Sequence, residues 1–419
     1  MALTRRRFLQ WAGATGLAAA APLGTPRVAL GLPGDPAAGD ALIFVFLRGG
    51  MDGLSALVPV AEPQYYARRP GIAVPQAAAL ALDGRFGLHP ALAPLHEIYQ
   101  EGDLALVPAC GHPGLTRSHF TAMDRIEAGR PDGAAVASGF FTRHLASRPG
   151  APGEVPAAAI GSSLPRSLRG SGDAVAMRDA TRFELAGFPG AAAGAVEETL
   201  AALYAGGGAG AATGSALSAQ AGTSLRALAA VAAADPSQYE PRNGAVYPDG
   251  GLARSLRQIA QLLRSGDDLR VELALLDAGG WDTHENMGTP GGGRMASLLA
   301  GLGSALAAFY QDLSDVRDQF TLVALAEFGR QVHENGSGGT DHGNGGVLFA
   351  MGGGVRAGVH GVWPGLEDEA LADRNGVAPV NDFRDVFAEI FARRLGNPNV
   401  TAIFPGLGHT PLGVVDARF

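Results

Sequence analysis

The chain has 419 residues, a formal net charge of −8, and a composition that is 47% apolar and only 17% charged. That supplies ample material for a buried core, while 62 glycines and 27 prolines call for many loops. So acidic a chain lacks the basic face that a nucleic-acid binder needs, and nucleic acid is excluded as a partner. Every basic residue other than histidine is arginine, so a Schiff-base lysine and the lysine of a phosphate-binding Walker loop are ruled out. Cys110 is the only cysteine, which excludes an intrachain disulfide and an all-cysteine metal site. Carboxylate, imidazole, hydroxyl, arginine and metal remain for chemistry.

Residues 1–31 read as a signal peptide and leader. Arg5, Arg6 and Arg7 precede Phe8-Leu9, and a moderately apolar stretch from Trp11 to Leu23 follows, too short to span a bilayer. The Arg-Arg-x-Phe-Leu order resembles the twin-arginine (Tat) signature, and 18–20 or 29–31 offer small residues for cleavage. The expectation is export of a folded chain by the Tat machinery to the periplasm or beyond, with no stable membrane span in the mature form.

An α/β domain is expected over 40–415. Residues 41–47 form a continuous apolar run ending in Arg-Gly-Gly, the pattern of a buried parallel strand. A helix over 91–101, a strand over 103–108 and a helix over 116–128 come next. Residues 188–234 are rich in alanine and glycine, with helices expected at 195–204 and 217–233. They read as a helical cap inserted into the domain. Beyond it, helix 252–264, strand 270–276, helix 295–317, strands 320–326 and 346–351, and helix 383–395 continue the alternation. Alternation of this kind predicts a sandwich with a mainly parallel central sheet and helices on both faces.

In such sheets ligands bind beyond the carboxyl ends of the strands. Asp52 follows the first strand, Asp282 and His284 follow 270–276, and Glu327 follows 320–326. Asp341 and His342 lie in the glycine-rich loop before 346–351. Carboxylate oxygen and neutral imidazole are the donors that zinc, manganese or magnesium accept, so these six are candidate ligands for one or two divalent ions. Ser118 falls near the start of helix 116–128. There it is either an N-cap or a nucleophile beside the metal. Arg117 and His119 flank it as candidate contacts to an anionic substrate.

Phe-Leu-Arg-Gly-Gly-Met-Asp-Gly at 46–53, Arg-Ser-His-Phe at 117–120, Gly-Trp-Asp-Thr-His at 280–284, Glu-Phe-Gly-Arg at 327–330 and Gly-Thr-Asp-His-Gly at 339–343 occur in this order. The set resembles a Tat-exported bacterial family, catalogued as a domain of unknown function, of the alkaline phosphatase–sulfatase superfamily. The resemblance implies an alkaline-phosphatase-like fold and hydrolysis of a small anionic ester. It matches Asp52 to the first metal aspartate, Ser118 to the nucleophile, and Asp282 with His284 to an aspartate–histidine metal pair. The chain departs from the superfamily where Glu327-Phe328 replaces an Asp-His pair. No Cys-x-Pro-x-Arg motif is present, which favours phosphate over sulfate esters. The competing reading is a non-catalytic periplasmic binding or assembly protein that keeps the fold.

Overall fold

The computed structural model describes residues 40–150, 153, 155–184, 216–233, 238–265 and 269–419, with a few positions between 195 and 202. The expected signal peptide, and about half of the expected cap over 188–234, lie outside the described residues.

The chain is an α/β protein built on a nine-stranded sheet. Its strands are β1 (Ala41–Leu47), β2 (Leu104–Gly111), β3 (Ala157–Ile160), β4 (Ala174–Met177), β5 (Leu273–Ala278), β6 (Phe320–Leu325), β7 (Gly346–Met351), β8 (Gly358–Val359) and β9 (Asn381–Asp382). Their order is β8-β2-β7-β6-β1-β5-β3-β4, with β9 also on β2. From β6 through β4 every pairing is parallel. β7 runs antiparallel to both β6 and β2. That reversal places the loop preceding β7 at the sheet end where β1, β2, β5 and β6 finish.

β1 sits near the centre because all seven of its residues can be buried, whichever face they point to. Ile43, Val45 and Leu47 join one core, while Leu42, Phe44 and Phe46 join another. The first core is covered by α1 (Ala93–Glu101), α5 (Gly251–Arg264) and α6 (Arg294–Asp312). Against the second lie α2 (His119–Ala128), α3 (Phe140–Ser147) and α7 (Phe383–Arg393). A further helix, α4 (Ala216–Ala233), adds Ala227 and Val231 to the first core. Helices therefore flank both faces.

α6 presents Met295, Leu299, Leu302, Leu306 and Phe309 at helical spacing, and all are buried. It stops at Asp312 rather than running on to residue 317. The carbonyl of Asp312 accepts from Asn243 Nδ2 and Arg264, and a 3₁₀ segment, Ser314–Gln319, carries the chain into β6. Among the described residues no helix is long and apolar enough to cross a membrane.

On the second face Phe387 meets Phe44 edge-on at 5.5 Å and also packs against Phe140 and Phe141. All four rings are buried. Phe387→Ala is expected to cost about 3–5 kcal/mol through lost burial and an unfilled cavity. The midpoint and slope of urea unfolding check this; a loss under about 1 kcal/mol would mean that the ring cluster does not hold α7 to the sheet.

Candidate metal centre

Four loops meet at the carboxyl end of the central strands. The loop after β1 carries Gly49 and Asp52, the segment after β2 leads into His119, and the loop after β5 holds Asp282 and His284. The fourth runs from Glu327 and Arg330, after β6, to Asp341 and His342, before β7. Gly49 permits the close approach: its φ is +122°, and a Cβ there would fall 2.6 Å from the Asp282 nitrogen.

Three imidazoles aim inward. Each is held from behind through Nδ1 by an oxygen that can only accept. Glu327 Oε1 holds His119 at 2.6 Å, Asp341 Oδ1 holds His284 at 2.9 Å, and the Arg117 carbonyl holds His342 at 2.7 Å. Nδ1 therefore carries the proton in all three rings, and in the neutral rings Nε2 is left as a bare lone pair. The three Nε2 atoms converge on Asp282 Oδ1 at 3.5 Å for His119, 3.0 Å for His284 and 3.2 Å for His342. His284 Nε2 and His342 Nε2 are 2.9 Å apart. His119 Nε2 is buried and has no hydrogen-bond partner.

Lone pairs in such proximity repel unless a cation lies among them. Ligands bound about 2.0–2.1 Å from one tetrahedral zinc lie about 3.3 Å from one another, close to the spacings observed here. Donor atoms of His119, Asp282 and His342 all fall within 4.8 Å of each other, and His284 adjoins the last two. Imidazoles backed by carboxylate or carbonyl oxygens are also the arrangement by which metal ligands are oriented.

The electrostatics favour ionised Asp282 and neutral His342. Burial opposes ionisation of Asp282, but the hydrogen bond and charge of Arg330, with help from His342 and His284, hold its carboxyl down at about 2. Burial lowers the His342 pKa, favouring the neutral ligand form. The hydrogen bond from His284 lowers Asp341.

The other expected site residues are placed as follows. Glu327 is fully buried; its Oε1 meets both His119 and the Gly49 N–H, which also reaches Oε2. Asp341 accepts from His284 and Asn335. Each supports an imidazole of the cluster from behind. Asp52 offers nothing to the cluster: Arg69 grips both of its oxygens, at 2.5 and 2.9 Å, and Ser55 donates to it at 2.6 Å. Both members of this ion pair are fully buried, and Arg69 also donates to the carbonyls of Gln331 and Val332.

Ser118 occupies the N-cap position of α2, yet its side chain makes no capping bond; its hydroxyl is exposed and meets only Thr121 Oγ1, at 3.5 Å. Arg117 directs its guanidinium to Asn344 and Asp373, away from the cluster. His119, expected to contact substrate, is one of the inward-facing imidazoles. Arg330, three residues beyond Glu327, enters the site through Asp282 Oδ1, and no sequence signal marks it for that role.

Comparison with known proteins places the chain. Residues 40–395 match the family described as a protein of unknown function (DUF1501). The chain belongs to that family. No curated protein matches it. Among solved structures, a mutant of TAB5 alkaline phosphatase with Mg bound in its M3 site is similar at 11% identity and a TM-score of 0.28. The match covers 76% of this chain and 92% of that one.

Asp52→Ala would leave Arg69 as an uncompensated buried charge. The expected loss is about 3–5 kcal/mol of stability in chemical denaturation. Metal stoichiometry measured by elemental analysis on the folded fraction should be unchanged. Loss of metal with stability intact would instead make Asp52 a ligand.

Proposed function

We propose that this protein is an exported metal-dependent hydrolase of phosphate esters, with sulfate esters the less favoured substrates. Its divalent ion, zinc, manganese or magnesium, would be held by His119, Asp282, His284 and His342. One observation carries the reading: three Nδ1-anchored imidazoles turn their lone pairs onto a single carboxylate oxygen, and one of those nitrogens is buried without a partner. The imidazole-rich donor set favours zinc over magnesium, which prefers oxygen.

When bound, a divalent ion supplies positive charge for the ester's oxyanion and lowers the pKa of a nucleophile beside it. The residues supply the rest. Glu327 and Asp341 hold the proton on Nδ1 of His119 and His284, so Nε2 stays free to donate. Arg330 keeps Asp282 ionised. The exposed Ser118 hydroxyl has no contact with the cluster, which favours water over serine as the attacking group. The twin-arginine leader supports export to the periplasm, where the Tat machinery delivers chains already folded.

A second reading is a metal-binding periplasmic protein without turnover. It is favoured by the guanidinium of Arg117 being tied to Asn344 and Asp373, away from any bound anion.

The test is elemental analysis of protein recovered after export, followed by a monoester and diester screen. Bound divalent metal is expected. His342→Ala should lower both metal content and ester turnover by about tenfold or more, given the cost of losing a ligand. Retained metal without turnover on any ester selects the second reading. A metal-free protein whose properties do not change in Asp282→Ala would sink both.

A further inference from the structure

A cavity of about 160 Å³ opens on the second face of the sheet, between α2 and the carboxyl ends of β1, β5 and β3. Phe44, Phe46, Leu275 and Ala159 form its floor. Its polar lining is Arg48, Glu127 and Asp277 with Ser162, Ser163 and Ser167.

The charges in this wall are already matched to one another. Arg48 donates to Glu127 and to Asp277, both at 2.7 Å, and turns its third nitrogen toward Met123 Sδ at 3.0 Å. Its guanidinium also lies 4.6 Å from the Phe46 ring centroid. Each nitrogen of the guanidinium is already engaged within the wall and two carboxylates flank it, which disfavours a phosphate or carboxylate group as its ligand. The carboxylates, by contrast, keep lone pairs in reserve, since each oxygen accepts twice. Asp277 is half exposed and uses only Oδ2 on Arg48. The hydroxyl of Ser167, a fully buried residue, has no partner among the described residues. An unpaired buried hydroxyl costs free energy unless something meets it.

An engineered apolar cavity of about 150 Å³ takes one benzene, so this volume suits a single six-membered ring. A lining half apolar and half hydroxyl and carboxylate suits a ring with a C–H face and a rim of hydroxyl donors. We propose that this cavity binds an uncharged polyhydroxylated ring of monosaccharide size. Hydroxyls would donate to Asp277 and Glu127 and exchange hydrogen bonds with the serines, while the C–H face lies over Leu275 and Ala159. None of the four candidate metal donors lines this cavity, and the proposal does not rest on ester hydrolysis.

Gly161 allows a clean test. It lines the cavity, and a Cβ there would meet only the Ser163 carbonyl, at 3.8 Å, in ordinary contact. Gly161→Leu should therefore fill the space without backbone strain. Calorimetric titration of the full mature chain would use D-glucose, D-mannose and myo-inositol, with putrescine as a cationic probe and inorganic phosphate as an anionic one. At least one neutral ring is expected to bind with a dissociation constant on the order of 1 mM or tighter. Gly161→Leu should weaken it about tenfold or more, and Asp277→Asn, altering a half-exposed side chain, by several-fold. Asp282→Ala should leave this binding unchanged while it disturbs the metal cluster. The proposal is overturned if no neutral ring binds, if putrescine or phosphate is the ligand lost in Gly161→Leu, or if sugar binding survives in both cavity variants.

Discussion

The arrangement of strand-end loops rests on the guanidinium of Arg330. It is buried, and its donors go to the carbonyls of Gly50 at 2.6 Å, Thr340 at 2.9 Å and Trp281 at 3.2 Å, to the Gly49 carbonyl, and to Asp282 Oδ1 at 2.5 Å. One rigid, planar group thus joins the segments after β1, β5 and β6 to the segment before β7. A buried cation is costly unless every donor is matched and a counter-charge is near. Here four carbonyls and one carboxylate meet that need, and the match can form only when these segments are in place. The same contact sets the protonation of Asp282, so assembly of the loops and ionisation of the candidate ligand are one event.

Arg69 repeats the device one layer away. It pairs with Asp52 and reaches the carbonyls next to Arg330 in sequence, bracing the loop after β1 against the loop after β6. A chain without lysine makes every such anchor from arginine, whose fork can reach several carbonyls at once where an ammonium is a single point of charge. The cost is that these guanidinium groups are fixed. Arg48, Arg69, Arg117 and Arg330 all border the carboxyl edge of the sheet, and each is already committed to partners in the protein. On the proposed hydrolase reading, positive charge for a substrate anion would then come from the bound ion.

Much of this was legible in the residue pattern, and the exceptions have physical reasons. β1 is an unbroken apolar run with alternate aromatic and aliphatic residues, so its bounds could be read directly. β3 and β4 are short, alanine-rich segments with weak strand signal, and only pairing along the edge of the sheet makes them strands. The strand-end rule located Asp282, His284, Asp341 and His342 at one edge. It could not separate the donors among them from Asp52, whose partner stands seventeen residues on, nor from Glu327 and Asp341, whose partners His119 and His284 are on other elements. An acid that binds an ion and an acid that supports a histidine look alike in sequence. The antiparallel course of β7 was equally hidden, because a buried strand has the same composition in either direction.

Helix α2 shows how the fold joins what sequence separates. His119 at its first turn enters the cluster, while Glu127, eight residues on and about 12 Å along the axis, lines the neighbouring cavity. Met123, between them at the i+4 position, meets Arg48, which leads directly into Gly49 and its hydrogen bond to Glu327. A displacement of α2 along the sheet would therefore alter the distance from His119 to Asp282 and the width of the cavity together. Gly129 ends the helix in a left-handed conformation, its N–H returning to the carbonyls of Arg125 and Ile126. Phe140 and Phe404 leave no room for a Cβ there, so the far end of α2 is seated on the second core. The geometry of the candidate metal centre is thus set partly by packing more than two helical turns away.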